Sequence, residues 1–191
     1  DAETSKLVQF QIDQVDRLTS LVRTLLEMSN LQSVSRSDEI ELAPLIDEIL
    51  TDLTTLAEQK NITLHQNCED VHMIGSDTLI YRLLFNLIEN AIKYNHSGGG
   101  VTVSMQQENQ QVLLHIADTG CGIPEKYRES IFQPFFRVDK SRSRQMGGVG
   151  LGLALVREIA VLHGGSVYVE SGSKDGTTFA VKLPLNGEKT E

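Results

Sequence analysis

The sequence has no tryptophan, four prolines and two cysteines, and aromatic residues make up only 5% of its 191 positions. Two cysteines in a chain this size argue for a reducing compartment rather than a disulfide scaffold. Cys68 and Cys121 stand at no metal-ligand spacing from each other or from a histidine. No run of about 18 apolar residues is available to span a bilayer, and no signal-peptide pattern opens the chain. Basic residues are outnumbered, 17 Lys and Arg against 26 Asp and Glu. The resulting net charge of −9 argues against general nucleic-acid binding, so an anionic ligand would need a local basic site. The chain opens at Asp1 and not at Met, and reads as a piece of a longer protein. At 40% hydrophobic and 23% charged, it has material for one full core plus an appended element.

That appended element is the first thing the pattern shows. Across residues 4 to 33, Val8, Val15 and Val22 fall at one heptad core position and Gln11, Leu18 and Leu25 at the other. Leu7, Leu21 and Met28 broaden the stripe on one side, and Ile12 and Leu26 on the other. No Gly or Pro interrupts it. A stripe this wide suits a helical bundle and a partner helix better than a two-stranded coil. A polar connector, SVSRSDEIEL, then runs into a short strand, and Pro44 suits the first turn of a helix reaching about Gln59. ITLHQ and VHMIG read as strands. Ser76 or Asp77 can cap the helix that follows, and SGGG ends it in a flexible turn. VTVSMQQ and VLLHIAD form one hairpin, SVYVES and TTFAVKLP another. LGLALVREIAVLHGG is a helix stopped by glycine. The sum is an α+β fold, an antiparallel-rich sheet with helices on one face.

Polar residues stand where an ordinary buried helix would not have them. In NLIENAIKYN (86 to 95), Asn86, Asn90 and Lys93 share one stripe within an arc of about 60°. Asparagine weakens a helix, so amide oxygens and an ammonium aligned there suggest a ligand. Two glycine clusters follow, DTGCGIP (118 to 124) and GGVGLGLAL (147 to 155). Neither is a P-loop, and neither sits in a βαβ unit with dinucleotide spacing. The second cluster opens into a helix, where freed backbone amides make a phosphate site. Asp118 could accept the amino group of an adenine, although a strand-to-turn cap fits the same residues. Between the clusters, residues 125 to 147 hold six basic side chains (Lys126, Arg128, Arg137, Lys140, Arg142, Arg144) against three acids. That is a local excess of positive charge where phosphates would need it, in a loop long enough to be functional.

NLIENAIKYN, DTGCGIP, IFQPFFRVD and GGVGLGLAL, in this order and spacing, resemble the N, G1, F and G2 boxes of sensor histidine kinases. The match covers residues 40 to 185, and the first helix resembles the second helix of that family's dimerisation domain. The resemblance implies a Bergerat-type two-layer sandwich of a mixed sheet under helices, preceded by a long bundle helix. Residues 1–35 would be the dimerisation helix and 36–187 the catalytic ATP-binding domain. It implies ATP and Mg²⁺ as cofactors, with Asn90 as the metal ligand, a choice that suits a hard cation completed by water and phosphate. Lys93 and Tyr94 would lie beside the phosphates and Asp118 on the adenine amino group. Gly120 and Gly122 would let the backbone approach the base; Gly148, Gly150 and Gly152 would free amides for the phosphates. Arg137 would reach the γ-phosphate from the lid, making Asn90, Lys93 and Arg137 the catalytic set. The implied binding set also includes Asn86, Ile123, Leu151 and Thr177, while Phe132 and Phe135 would anchor the lid.

Asn86 separates two kinds of relative. The clamp ATPases of the superfamily carry a water-activating Glu four residues before the metal Asn, where this chain has an amide. A site that holds ATP without hydrolysing it efficiently favours phosphoryl transfer to a supplied acceptor. None of the five histidines fits the family's phosphoacceptor: His65 and His115 lie in strands, His72 and His96 near turns, and His163 at a helix end, a structural position. Gln133 stands where the F box often has Glu. The resemblance thus implies a kinase half that needs an acceptor helix from elsewhere. The full protein would be a homodimer through the first helix, paired with a response-regulator receiver domain, and the chain the cytoplasmic portion of a membrane-anchored bacterial sensor. Competing readings are an ATP-driven conformational clamp, a catalytically silent scaffold, and a serine kinase of the anti-sigma type.

Overall fold

The computed structural model describes residues 2–138, 150–173 and 175–186. Helix α1 (Ala2–Asn30) runs 29 residues and leads through a 3-10 turn, Leu31–Ser33, to strand β1 (Asp38–Glu41). Helix α2 (Leu42–Gln59) buries Leu42, Leu45, Ile46, Ile49, Leu53 and Ala57, the period-3.6 face of an amphipathic helix. Strands β2 (Thr63–Cys68) and β3 (His72–Gly75) precede helix α3 (Asp77–Lys93). The Ser76 side chain caps α3 by accepting a hydrogen bond from Leu79 N at 3.4 Å, with Asp77 in the first turn and Lys93 in the last to complement the helix dipole. Strands β4 (Gly100–Glu108) and β5 (Gln111–Asp118) form the first hairpin. Asn109 and Gln110, both at positive φ, make the two-residue turn that matches the twist of the strands. Helix α4 (Gly152–Leu162) and the hairpin β6 (Ser166–Ser173), β7 (Gly176–Pro184) complete the domain.

The main sheet has the order β2-β4-β5-β7-β6, with β2 and β4 parallel and every other pair antiparallel. It is the expected mixed, antiparallel-rich sheet. Along β4, β5 and β7 alternate residues are fully buried: Val101, Val103, Val112, Leu114, Ile116, Val181 and Leu183 face α2, α3 and α4. The connection from β2 to its parallel neighbour β4 must cross over, and it carries α3. That is why the helix with the asparagine stripe lies in the middle of the helical layer. One feature departs from the sequence reading: β1 and β3 do not join the main sheet but pair with each other, Asp38 opposite Gly75 through Glu41 opposite His72.

Helix α1 stands apart. Leu18 and Val15 are each 60% exposed, and Leu7, Val8, Phe10, Val22 and Leu26 are also exposed. Its last turns meet the domain, where Met28 packs against the core and Glu27 accepts from Arg82 of α3 at 3.2 Å. No helix among the described residues is long and apolar enough to cross a membrane.

Candidate functional site

The stripe on α3 forms as the spacing predicts, and the residues around it give each member a different role. Asn86 is half-buried; its amide nitrogen donates to the Arg82 carbonyl at 2.7 Å. A Cβ on Gly152 would stand 3.1 Å from Asn86 Oδ1, so the start of α4 lies against α3 at this residue. Lys93 pairs with Glu89 at 2.8 Å, one turn back. Between them lies Asn90, half-buried, whose side-chain amide has no hydrogen-bond partner among the described residues.

Tyr94 ends α3, and its backbone carbonyl accepts from Cys121 N at 3.4 Å. A Cβ on Gly120 would come within 2.5 Å of that carbonyl, so only glycine lets the loop pass. Asp118 closes β5. Its Oδ1 accepts from Gly120 N at 2.8 Å and from Thr177 N at 3.3 Å, with Thr177 buried beside it on β7. Burial raises the Asp118 pKa, and the two backbone bonds oppose that rise. Its second oxygen, Oδ2, has no partner among the described residues. The carboxylate is thus oriented by one oxygen and has an acceptor left over, as a base-recognising group requires.

The α4 terminus supplies donors. The first backbone N–H groups of a helix lack intrahelical partners, and the N-cap residue here, Leu151, has no side chain to cap them. Leu151 before it is buried, and Gly150, at φ +82°, accepts from Phe135 N at 2.8 Å. Phe135 is itself at positive φ and 57% exposed, whereas Phe132 is buried edge-on to Phe179 at 6.1 Å between ring centroids. Of the two lid anchors expected, Phe132 is therefore a core residue and Phe135 is not. Arg137 and Ile123 are half-buried, Ile123 packed against the core beside Gly122 at φ +69°. Gly148 lies outside the described residues, as do Lys140, Arg142 and Arg144 of the basic segment.

His163 takes the structural position expected of it. It is 4% exposed; Nε2 accepts from Ser76 N at 3.0 Å and Nδ1 donates to the Ile159 carbonyl at 2.8 Å. The ring therefore pins the end of α4 to the start of α3. Residues the sequence reading passed over also hold the site. Lys60 donates to the Lys93 carbonyl at 2.9 Å, capping α3 from 33 residues away. Arg128 donates to the Gly172 carbonyl at 2.6 Å, tying the loop after Ile123 to β6. Asn95 and Thr119 join the exit of α3 to the Asp118 loop.

This arrangement of a polar stripe on a crossover helix, an anchored aspartate and an uncapped helix terminus defines a nucleotide-binding class. The chain belongs to the histidine kinase-, DNA gyrase B- and HSP90-like ATPase family, whose profile matches residues 75–187. It is 36% identical over 175 residues to the sensor histidine kinase RppB of Synechocystis, an alignment covering 88% of this chain and 38% of that protein. Among solved structures it resembles the catalytic domain of histidine kinase ThkA, with a TM-score of 0.71 and 28% identity, covering 80% of this chain and 97% of that one. It also resembles ThkA in complex with the response regulator TrrA, with a TM-score of 0.77 and 26% identity over 96% of this chain and 52% of that one. The chain spans less than half the length of the curated relatives it matches.

Proposed function

We propose that this chain is the ATP-binding catalytic portion of a sensor histidine kinase, which transfers the γ-phosphoryl group of ATP to a histidine on an acceptor helix outside the chain. The observation that carries the reading is the set of groups around Asn86. In a hydrolytic member of the superfamily this position would hold a water-activating carboxylate. Here it holds an amide already engaged with the Arg82 carbonyl, and the carboxylate three residues on along the same helix, Glu89, is paired with Lys93. A site with no unengaged general base on this stripe suits phosphoryl transfer, where positioning and charge neutralisation supply most of the catalysis.

The residues fit Mg-ATP. Asn90 has a half-buried amide without a partner among the described residues, and a neutral oxygen donor suits Mg²⁺, which keeps waters and phosphate oxygens as its other ligands. When bound, the metal neutralises phosphate charge. Asp118 would read the adenine amino group, Thr177 and Gly120 would fix that carboxylate, and Gly122 and Ile123 would shape the loop beside the base. The Gly150–Leu151–Gly152 turn would present the α4 amides, and Lys93, Tyr94 and Arg137 would face the phosphates, with Gly148 completing the set. In this reading residues 1–35 are the second dimerisation helix and 36–187 the catalytic domain. The exposed stripe of α1 then joins a homodimeric bundle, and the phosphohistidine passes its group to a response-regulator receiver domain. The parent protein would be a membrane-anchored sensor with this portion in the cytoplasm.

The test follows Mg-ATP binding and phosphate release together on the purified chain. Saturable binding with negligible release is expected; steady release would mean a clamp ATPase, and no binding a scaffold. Asn90→Asp should disturb the metal geometry and Asp118→Asn should weaken adenine binding. Unchanged affinity in both variants would overturn the site assignment.

A further inference from the structure

The two halves of the nucleotide site are on different elements, the metal side on α3 and the adenine side on the loop after β5. A small polar knot joins them. The Asn95 Oδ1, two residues past the end of α3, accepts from Thr119 Oγ1 at 3.2 Å and from His96 N at 3.0 Å. Its Nδ2 donates to the Gly100 carbonyl at 3.0 Å. Thr119 Oγ1 in turn accepts from Gly100 N at 2.9 Å, and Thr119 N donates to the Gly100 carbonyl at 3.1 Å. The packing leaves no slack: a Cβ on Gly99 would lie 2.3 Å from Asn95 Oδ1 and 2.7 Å from Thr119 Oγ1.

We infer that Asn95 and Thr119 are positioning residues for adenine recognition, fixing Asp118 relative to the exit of α3. Thr119 follows Asp118 directly, and Gly120 N, the next donor along, is the shorter of the two bonds on Asp118 Oδ1. Releasing the Asn95–Thr119 bond therefore loosens the peptide that orients the carboxylate, leaving Gly100 alone to hold Thr119. Neither residue touches the ligand in this account. Their effect passes through Asp118, and the inference rests on the reading of Asp118 given above.

The experiment is a thermodynamic cycle on the full chain, measuring ATP affinity by titration in Mg²⁺ together with the unfolding midpoint. Asn95→Ala should weaken ATP binding roughly five- to tenfold, the equivalent of one ordered hydrogen bond. In an Asp118→Asn background the same substitution should cost under about twofold, because the group it acts through has been altered. Thr119→Val should match Asn95→Ala, and Thr119→Ser, which keeps the hydroxyl, should restore affinity; this pair decides the matter where Asn95→Ala fails to fold. Equal losses in both backgrounds, or Thr119→Val binding as well as Thr119→Ser, would overturn the positioning role. If Asp118→Asn alone left affinity unchanged, the assignment of Asp118 would fail, and the inference with it.

Discussion

His163, buried and bonded at both ring nitrogens, is a polar side chain whose removal should cost the fold heavily. His163→Ala leaves the buried Ser76 N–H without its acceptor, a loss of about 1–3 kcal/mol. The Ile159 carbonyl is spared, since it also accepts from His163 N at 3.2 Å. The void left by the ring adds roughly 2 kcal/mol, because Gly75 and Met73 already press against the site and can collapse only in part. The sum, about 3–5 kcal/mol, is a large part of an ordinary domain's stability. Urea unfolding should show a lower midpoint at unchanged slope. The pH dependence gives a second signature. Burial lowers the His163 pKa, the nearby Arg36 charge lowers it further, and the hydrogen bond to Ile159 opposes both. The unfolded chain therefore takes up this proton more readily than the folded one. The contribution of His163 is complete above the ordinary histidine pKa of about 6.5 and is lost as pH falls through it. His163→Ala should lack that part of the slope. A loss below about 1 kcal/mol, or an identical slope in the variant, would refute the account of α4 pinned to α3.

Asp118→Asn should leave the thermal midpoint of the ligand-free chain unchanged or raised, even though the proposed site would have it weaken ATP binding. Burial disfavours the carboxylate's charge, so its cost to the fold appears as pH rises above the unfolded value; the amide keeps the acceptor that Gly120 and Thr177 use. A midpoint several degrees lower would contradict this. Gly176→Ala should destabilise by more than about 2 kcal/mol, because a Cβ would lie 1.9 Å from the Asp118 carbonyl at a φ of +134°; thermal unfolding checks it. Val15→Asp with Leu18→Asp should abolish any dimer seen by sedimentation while leaving the domain's unfolding unchanged, since both side chains are 60% exposed. Tyr81, hydrogen-bonded to Asp52 at 2.5 Å, has a hydroxyl pushed up to about 12, by burial first and then by that bond. Ultraviolet titration should show Tyr81 ionising late, and Asp52→Ala should bring that step down only in part, because burial, the larger cause, remains.

Local periodicity made most of this fold legible. The apolar face of α3 and the pairing of VTVSMQQ with VLLHIAD in one hairpin rest on patterns a few residues long, and the structure has both. The polar members of the stripe were legible for the opposite reason, as residues a buried helix has no use for. What escaped were bonds between distant parts of the chain. Lys60 reaches Lys93 across 33 positions and Arg128 reaches Gly172 across 44, side chain to backbone, with no period to betray them. The separate β1–β3 pair escaped as well, because strands of four residues specify a length but not a partner. Asn95 closes the NLIENAIKYN motif in plain view, but its partner Thr119 lies 24 residues on, beyond any local pattern.

Helix α1 touches the rest of the molecule over its last turns, and the ion pair that marks the junction, Glu27 with Arg82, leaves both side chains 35% exposed. Such a pair is worth at most about 1 kcal/mol. Yet the Arg82 carbonyl is the group that holds the Asn86 amide, which lies against Gly152 at the head of α4. The long helix thus meets the domain through a weak ion pair whose arginine also supplies, by its carbonyl, the anchor of Asn86, so a change at the end of α1 is one side chain away from the α3–α4 contact.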